Sequence, residues 1–255
     1  MLDIDGTVIP YNYDSLPSKR VISAVKKANE LVTVCIVTGR SFIATERILK
    51  SLDVHTGYAV VDGGAYVVDL KSKNTIYEKF LTKEDLRKIA ETFEEEKVVF
   101  YLKDRKSFVG KRDYYEPYKK GQLLEDVSMI FTDELYSLER THAIMKKLSS
   151  PTTTIFRSKH KDPNKYSFNI TNIKATKMHG IAIIAKLLKL KKQEIIGVGD
   201  GYNDYPLLMG SGLKVAMGNA VADLKEIADY IAPSVDDDGV AVTIEKFILN
   251  PISKR

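Results

Sequence analysis

The sequence predicts an α/β protein, in which a parallel sheet with helices on both faces is interrupted by an inserted α+β domain. Short apolar segments alternate with helical periodicity in residues 1–81 and 173–255, and strands that alternate with helices form parallel sheets. Residues 82–172 instead place pairs of strands after single helices, an order typical of an antiparallel sheet with helices on one side. The 255 residues are enough for two domains.

The first piece begins with an apolar segment over 1–4 that runs into an Asp-Gly turn. A helix over 18–31 follows, because Ser18 is a suitable N-cap and apolar residues then recur on one helical face. Residues 32–37 are continuously apolar and β-branched, which is typical of a strand covered on both faces. The remaining predicted elements of this piece are a helix over 41–51, a strand over 58–61 and a hairpin of 66–70 with 75–80.

The last piece repeats this rhythm. It alternates helices over 177–190, 203–210, 221–228 and 238–249 with strands over 194–198, 214–217 and 230–232. The inserted segment has a different order. Its predicted elements are helices over 83–96 and 137–148, and strands over 98–102, 107–109, 129–131, 152–156 and 166–170.

Composition indicates an ordinary globular protein, with 44% hydrophobic and 29% charged residues. No run of about 18 apolar residues is present, so we expect no membrane span, and no secretory leader is visible. Cys35 is the only cysteine, which excludes an intrachain disulfide and fits a reducing, cytoplasmic environment. Because it lies in an apolar segment, we expect Cys35 to be a small buried core residue.

The net charge of +5 is spread over the whole chain, with 18 Lys and Arg against 15 Asp and Glu in residues 82–172 and 21 against 19 elsewhere. Nucleic acid is therefore not an expected partner. Residues 101–120 hold seven basic and three acidic residues among five aromatic ones. The favoured interpretation is a solvated surface with lysine stems along apolar groups. A substrate-specificity loop and a nucleic-acid contact are the alternatives.

Four polar motifs follow predicted core strands or begin a helix. They are Asp3-Ile4-Asp5-Gly6-Thr7, Thr38-Gly39-Arg40, Lys177, and Gly199-Asp200-Gly201-Tyr202-Asn203-Asp204. Open parallel sheets place their ligand sites at the carboxyl ends of strands, so we expect these motifs to converge. The side chains of Asp3 and Asp5 point the same way, because side-chain direction alternates along a strand.

Converging carboxylates need a cation. Two of them about 4 Å apart repel by about 4 kcal/mol at an effective dielectric constant near 20. An all-oxygen ligand set favours Mg²⁺, which is usually held by one or two carboxylates and a substrate phosphate. A lysine and a Thr-Gly turn beside the metal suit a phosphoryl group. The paired carboxylates Asp3 and Asp5 can then act as nucleophile and general acid/base.

The order and spacing of these four motifs resemble the haloacid dehalogenase superfamily of phosphohydrolases. The segments Val-Ala-Met-Gly-Asn-Ala at 215–220 and Asp-Asp-Gly-Val at 237–240, with the large insertion, resemble its Cof-type branch. The resemblance implies a Rossmann-like core formed by 1–81 and 173–255, with an inserted cap domain over 82–172. It also implies a Mg²⁺-dependent phosphatase that acts on small phosphorylated metabolites, such as sugar phosphates or similar monoesters.

The same resemblance implies individual roles. Asp3 is the nucleophile that forms an aspartyl-phosphate, and Asp5 is the general acid/base. The implied phosphate-binding residues are Thr38, Gly39, Arg40, Lys177 and Asn203. The implied Mg²⁺ ligands are Asp3, the backbone carbonyl of Asp5, Asp200 and Asp204. Asn219 would help to orient the phosphate or its loops.

Several alternatives stay open at this point. The Cof-type pattern often has a lysine followed directly by glycine, whereas two residues separate Lys177 from Gly180, so Lys174 is a rival for the lysine role. Only two residues precede Asp3, where the family has an apolar strand of several residues, so the first strand is either truncated here or begins upstream, and the position of Asp3 depends on which. A phosphomutase and a phospho-ligand-binding protein without turnover are the alternative functions. The oligomeric state is not predicted.

Overall fold

The computed structural model describes residues 1–110, 117–122, 125–158 and 164–251. The elements up to residue 81 are α1 (Lys19–Asn29), β1 (Ile36–Val37), α2 (Phe42–Ser51), β2 (Tyr58–Val61), a 3-10 turn (Asp62–Gly64), β3 (Tyr66–Asp69) and β4 (Thr75–Glu78). Those of the inserted segment are α3 (Lys83–Glu95), β5 (Tyr101–Asp104), α4 (Arg105–Phe108), β6 (Val127–Phe131), β7 (Tyr136–Ser137), α5 (Leu138–Leu148), β8 (Thr153–Ser158) and β9 (Lys165–Asn172).

The last piece alternates helices and strands again. Its main elements are α6 (Lys177–Leu188), β10 (Ile196–Gly199), a 3-10 turn (Tyr202–Asp204), α7 (Tyr205–Met209), β11 (Leu213–Ala216), α8 (Ala222–Glu226), β12 (Tyr230–Ile231), α9 (Gly239–Ile244) and a closing helical turn (Glu245–Leu249). The strands and helices of both terminal pieces thus follow the order that the sequence predicts, although several of their bounds are shorter or shifted.

One sheet combines the two terminal pieces, and Leu2 joins them. Strands β1 to β4 lie side by side in chain order, as do β10 to β12. Leu2 forms parallel bridges to Ile36 of β1 and to Val198 of β10. Its N–H donates to the Cys35 carbonyl at 2.9 Å, and the Asp3 N–H donates to the Val198 carbonyl at 3.0 Å. A very short strand therefore holds Asp3 at the centre of the sheet.

Helices cover both faces of this sheet. Alternate residues of β1 and β2 pack into two different apolar clusters: Ile36 and Ala59 lie in one, Val37 and Val60 in the other. The first cluster includes residues of α1, α2 and α9, and the second includes residues of α6, α7 and α8. Double coverage explains why these strands are continuously apolar. The predicted Rossmann-like α/β core is confirmed, and Cys35 is buried in it as expected.

The second sheet belongs to the inserted segment, which we call the cap. Its strands are antiparallel in the order β5-β6-β9-β7, and β8 also pairs with β9. Residues from α3 and α5 share an apolar cluster with Leu102, Ile130 and Ile170 of this sheet, so the helices cover one face. The antiparallel order matches the prediction, while the division of the chain at residues 82 and 172 stays a prediction.

Three local predictions differ from the structure. The strand predicted over 107–109 is wrong, because Asp104 accepts a hydrogen bond from the Ser107 N–H and so caps the short helix α4. Only Ile36–Val37 of the predicted strand 32–37 is paired as β1. Strand β7 was not expected, since two residues carry no periodic signal.

The basic and aromatic stretch 101–120 is described only in part, because residues 111–116 lie outside the described ranges. Its described rings pack on other aromatic rings: Tyr101 on Phe131, and Tyr118 on Phe100. Both rings are half-buried, whereas Lys106, Lys119 and Lys120 of the stretch are exposed, and the role of the stretch stays a prediction. Among the residues that the structure describes, no helix is both long and apolar enough to cross a membrane.

Candidate active site

The buried contact between Lys177 and Asp3 forms the centre of the site. Lys177 is the first residue of α6, and its Nζ donates to Asp3 Oδ1 at 2.6 Å and to Asp204 Oδ1 at 2.5 Å. Burial acts to lower the pKa of Lys177, but contact with Asp204 and Asp3 outweighs it and raises the pKa. The amine therefore stays charged. Lys174, the rival in the sequence, is exposed.

Two close approaches of the backbone hold α6 in this position. Gly64 has a φ of +119°, and a Cβ there would lie 2.3 Å from the Thr176 carbonyl group, next to Lys177. Gly180, one turn into α6, lies against β2, where a Cβ would be 2.5 Å from a methyl group of Val60. Glycine is therefore required at both positions.

The loop after β10 brings two more carboxylates to Asp3. Asp204 Oδ2 accepts hydrogen bonds from the N–H groups of Asp200 and Gly201, both at 2.9 Å. These two bonds hold the loop after β10 in its conformation. Asp200 accepts hydrogen bonds from the Thr7 hydroxyl at 3.2 Å and the Tyr11 hydroxyl at 2.5 Å. Both carboxylates are fully buried.

These carboxylates form a group that suits a hard cation. One oxygen from each of Asp3, Asp200 and Asp204 lies within 4.8 Å of the other two. Burial raises the pKa of the Asp3 carboxyl well above its usual range, and Asp204 adds to this effect while Lys177 opposes it. Lys177 thus contacts two of these three carboxylates, and an all-oxygen set of this charge fits Mg²⁺. Within the described ranges, the carboxylate of Asp5 lies outside this group.

Asp5 is held by Arg40 instead. Arg40 donates from Nη2 to Asp5 Oδ1 at 2.5 Å and from Nε to Oδ2 at 2.9 Å, a bidentate arrangement. The Tyr13 ring lies 4.4 Å from the guanidinium carbon on another side. The Asp5 side chain stays about one-third exposed and lines the cleft described below. Arg40, which the sequence placed on the phosphate, is therefore engaged with Asp5.

The loop after β1 lies beside this pair. Thr38 is buried, and its hydroxyl accepts a hydrogen bond from the Arg40 N–H at 3.1 Å. The Gly39 carbonyl accepts a hydrogen bond of 2.6 Å from Lys103, which belongs to cap strand β5. The Lys103 amine also lies 3.6 Å from the buried carboxylate of Asp62. A cap side chain thus reaches into the core next to the motif.

A cleft of about 490 Å³ lies between the cap and the carboxyl edge of the core sheet. Its core-side lining residues are Asp5, Tyr13, Gly39, Arg40, Ser41, Ala44, Gly63, Lys177 and Asn203, and its cap-side lining residues are Tyr101, Lys103, Met129, Phe131, Asp133, Phe156 and Asn169. The sequence motifs therefore meet on one wall of a single cleft. A volume of this size accommodates a small organic molecule.

Known proteins match nearly the whole chain. A family model described as haloacid dehalogenase-like hydrolase matches residues 1–244. The chain belongs to this family of hydrolases. The resemblance drawn from the four motifs is thereby confirmed.

Individual members of the haloacid dehalogenase-like family are similar over nearly the whole length. The stress response protein YhaX of Bacillus subtilis is 27% identical, covering 96% of this chain and 91% of the relative. The 5-amino-6-(5-phospho-D-ribitylamino)uracil phosphatase YcsE of Bacillus subtilis is 25% identical, covering 97% and 94%. The solved structure of BT4131, a sugar phosphatase of subclass IIB, superposes with a TM-score of 0.75 at 21% identity and covers 95% and 96%.

Three contacts in this haloacid dehalogenase-like site were not found from the sequence. Thr7 belongs to the first motif, but its partner Asp200 is 193 residues away. Tyr11 lies outside every motif, and burial together with Asp200 raises the pKa of its hydroxyl, so that it remains a donor. Lys103 lies on a cap strand next to the apolar Leu102. Their alternation indicates that the two side chains lie on opposite faces of the sheet, but it does not indicate the contact of Lys103 with the core.

Proposed function

We propose that the chain is a Mg²⁺-dependent phosphatase that hydrolyses small phosphorylated metabolites, sugar phosphates or similar monoesters, through an aspartyl-phosphate on Asp3. The observation that supports this proposal most directly is the contact between the buried Asp3 carboxylate and Lys177. This contact lies beside a cleft that Asp5 and Lys177 line. Membership of a hydrolase family and the phosphatase names of similar proteins support the reaction class.

In the first step, a carboxylate oxygen of Asp3 attacks phosphorus, and the bond from phosphorus to the leaving oxygen breaks. Asp5 gives a proton to that oxygen, so that an alcohol departs. In the second step, Asp5 takes a proton from water, whose oxygen attacks phosphorus. The bond to Asp3 then breaks, and inorganic phosphate leaves.

The surrounding residues bind and orient the phosphoryl group. Thr38 accepts one hydrogen bond from the backbone, so its own hydroxyl proton can be donated to a phosphoryl oxygen. The Lys177 amine offsets charge between Asp3 and the phosphoryl oxygens, and Asn203 lies on the same wall. Arg40 orients the Asp5 carboxylate and has to release one of its oxygens before Asp5 can carry the proton that it gives to the leaving group. Asp3, Asp200, Asp204 and the Asp5 carbonyl would hold Mg²⁺, whose charge neutralises that of the phosphoryl oxygens.

Hydrolysis of p-nitrophenyl phosphate in the presence of MgCl₂ tests this proposal. The parent should be active, and Asp3→Asn should reduce kcat/KM by at least about 10³-fold, because it removes the nucleophile. Asp53→Asn is a matched control, since Asp53 is an exposed residue with a positive φ that asparagine also tolerates. Equal activity of Asp3→Asn and the parent would refute the proposal.

Product analysis separates the alternatives. With a sugar phosphate as substrate, a phosphatase releases inorganic phosphate and the free sugar. An isomerised sugar phosphate would instead indicate a phosphomutase. Binding of the sugar phosphate with no turnover, measured by calorimetry on the parent, would indicate a phospho-ligand-binding protein.

A further inference from the structure

The cap sheet presents one row of four side chains to the cleft. Tyr101 on β5 lies opposite Phe131 on β6, Phe131 lies opposite Asn169 on β9, and Asn169 lies opposite Phe156 on β8. All four residues line the cleft. We call these four residues the aromatic row.

The aromatic row lies on the face of the cap sheet that the helices leave uncovered. The residues adjacent in sequence, Leu102, Ile130 and Ile170, are buried in the cluster that includes α3 and α5 residues. Since side chains alternate between the two faces of a strand, the row faces the other way. Its members are half-buried, so ring surface is accessible from the cleft.

The rings of the row already have a stacked geometry. The centroids of Tyr101 and Phe131 are 5.3 Å apart, and their planes are inclined by 21°. Aromatic faces that line a cleft attract flat apolar groups. Because each ring of a substrate has such a face, stacking of this kind is strong and tolerant of the substituents on the ring.

Asn169 adds a polar group between the rings. Its Nδ2 donates a hydrogen bond of 2.7 Å to the Ser158 hydroxyl, which fixes the orientation of the amide. An amide both donates and accepts hydrogen bonds, so it can pair with the edge of a ring that carries nitrogen or oxygen atoms. Aromatic rings with one amide among them suit a heterocycle better than a purely hydroxylated chain.

The distance between the aromatic row and the Thr38-Gly39-Arg40 motif suits a small phosphorylated molecule. Lys103 lies two residues after Tyr101 on β5, so its side chain is on the same face of the sheet. The Lys103 amine also contacts Gly39 of the Thr38-Gly39-Arg40 motif. Two residues of strand span about 7 Å. A substrate whose phosphate lies near Gly39 can therefore extend its other end along the cap sheet to the row.

We propose that the aromatic row is the leaving-group subsite, and that the substrate is a phosphomonoester whose leaving group carries a planar unsaturated ring. This inference rests on the proposed phosphatase function and narrows its substrate class. Phe131, at the centre of the row, supplies the main stacking surface, and Asn169 pairs with the ring edge.

Substrates that share the reacting end and differ in the ring test the inference. Uridine 5′-monophosphate and ribose 5-phosphate carry the same phosphorylated ribose, and pyridoxal 5′-phosphate places its ring one carbon from the ester oxygen. For the parent, the better ring-bearing substrate should exceed ribose 5-phosphate in kcat/KM by at least about 10-fold. Phe131→Leu and Asn169→Ala should each reduce that ratio at least about 3-fold.

Tyr118→Leu is the control, because the Tyr118 ring stacks on Phe100, on the helix-covered face of the cap. It should leave the ratio unchanged. Ribose 5-phosphate hydrolysis as fast as that of both ring-bearing compounds would overturn the inference while leaving the phosphatase function intact. A ratio insensitive to both row variants would do the same. If the parent hydrolysed none of these compounds or p-nitrophenyl phosphate, the proposed function itself would fail, and this inference with it.

Discussion

The Nζ of Lys103 in the cap donates a 2.6 Å hydrogen bond to the carbonyl oxygen of Gly39 in the core. The same amine lies 3.6 Å from the Asp62 carboxylate, which is completely buried and also accepts from the Ser128 hydroxyl. Burial raises the pKa of Asp62, although Lys103 and Ser128 act in the opposite direction. The cap is therefore joined to the Thr38-Gly39-Arg40 motif through a hydrogen bond, and to the turn after β2 through a buried ion pair.

Lys103→Met should destabilise the protein, because it leaves Asp62 buried without a cation. Loss of one partner of a buried pair costs about 3–5 kcal/mol. Lys103→Met combined with Asp62→Asn should recover most of that loss, since no buried charge then remains. Urea unfolding of the parent, both single variants and the double variant measures the coupling between the two residues. Additive effects of the two substitutions would contradict this account.

Lys177→Met should reduce kcat/KM for p-nitrophenyl phosphate at least about 100-fold, because the charged amine next to Asp3 is lost. Lys174→Met is the matched control, because Lys174 is exposed and its hydrogen bonds with Tyr77 and Asn172 are made by its backbone, which the substitution keeps. It should retain parental activity. The reverse pattern would transfer the lysine role to Lys174.

MgCl₂ should raise the thermal unfolding temperature of the parent, because a ligand that binds only the folded state stabilises it, by about 2.7 kcal/mol at 100 times Kd. Asp200→Asn should abolish most of this shift, since it removes one of the three buried carboxylates. Asp229→Asn, an exposed substitution beside β11, should keep the shift. An unchanged unfolding temperature of the parent with MgCl₂ would argue against a metal site here.

The pH dependence of cap stability should depend on Asp85 in α3. Three hydroxyl groups donate to its carboxylate, from Thr152 and Thr82 at 2.6 Å and from Ser150 at 3.2 Å. Burial acts to raise the pKa of Asp85, but these donors outweigh it and lower the pKa. The stabilisation is therefore present above the pKa of the unfolded state, about 3.9, and is lost as the pH falls through the lower folded value. Asp85→Asn should be less stable than the parent at pH 7, and urea unfolding should show this difference shrinking below about pH 4.

The sequence alone was sufficient for the core order and for the convergence of the motifs, because parallel strands end at one edge and periodicity identifies each element. It was insufficient where a contact with another residue determines the position of a side chain or the type of an element. Arg40 donates to the carboxylate of Asp5, 35 residues away, a contact that no pattern in the sequence indicates, and the role of Arg40 in phosphate binding stays a prediction. Likewise, one capping hydrogen bond from Ser107 to Asp104 turns a short apolar run into a helix. Such contacts depend on packing and have no periodic signal.

The position of Lys177 depends on two glycines, Gly64 and Gly180, because the structure has no room for a side chain at either one. Neither residue lines the cleft, yet we expect a single methyl group at either one to push α6 away from the sheet and to move the Lys177 amine from Asp3. A survey of tolerated substitutions would therefore rank these two inert positions beside the reacting carboxylates. The contact between Lys177 and Asp3 is maintained as much by what two positions lack as by what the charged side chains supply.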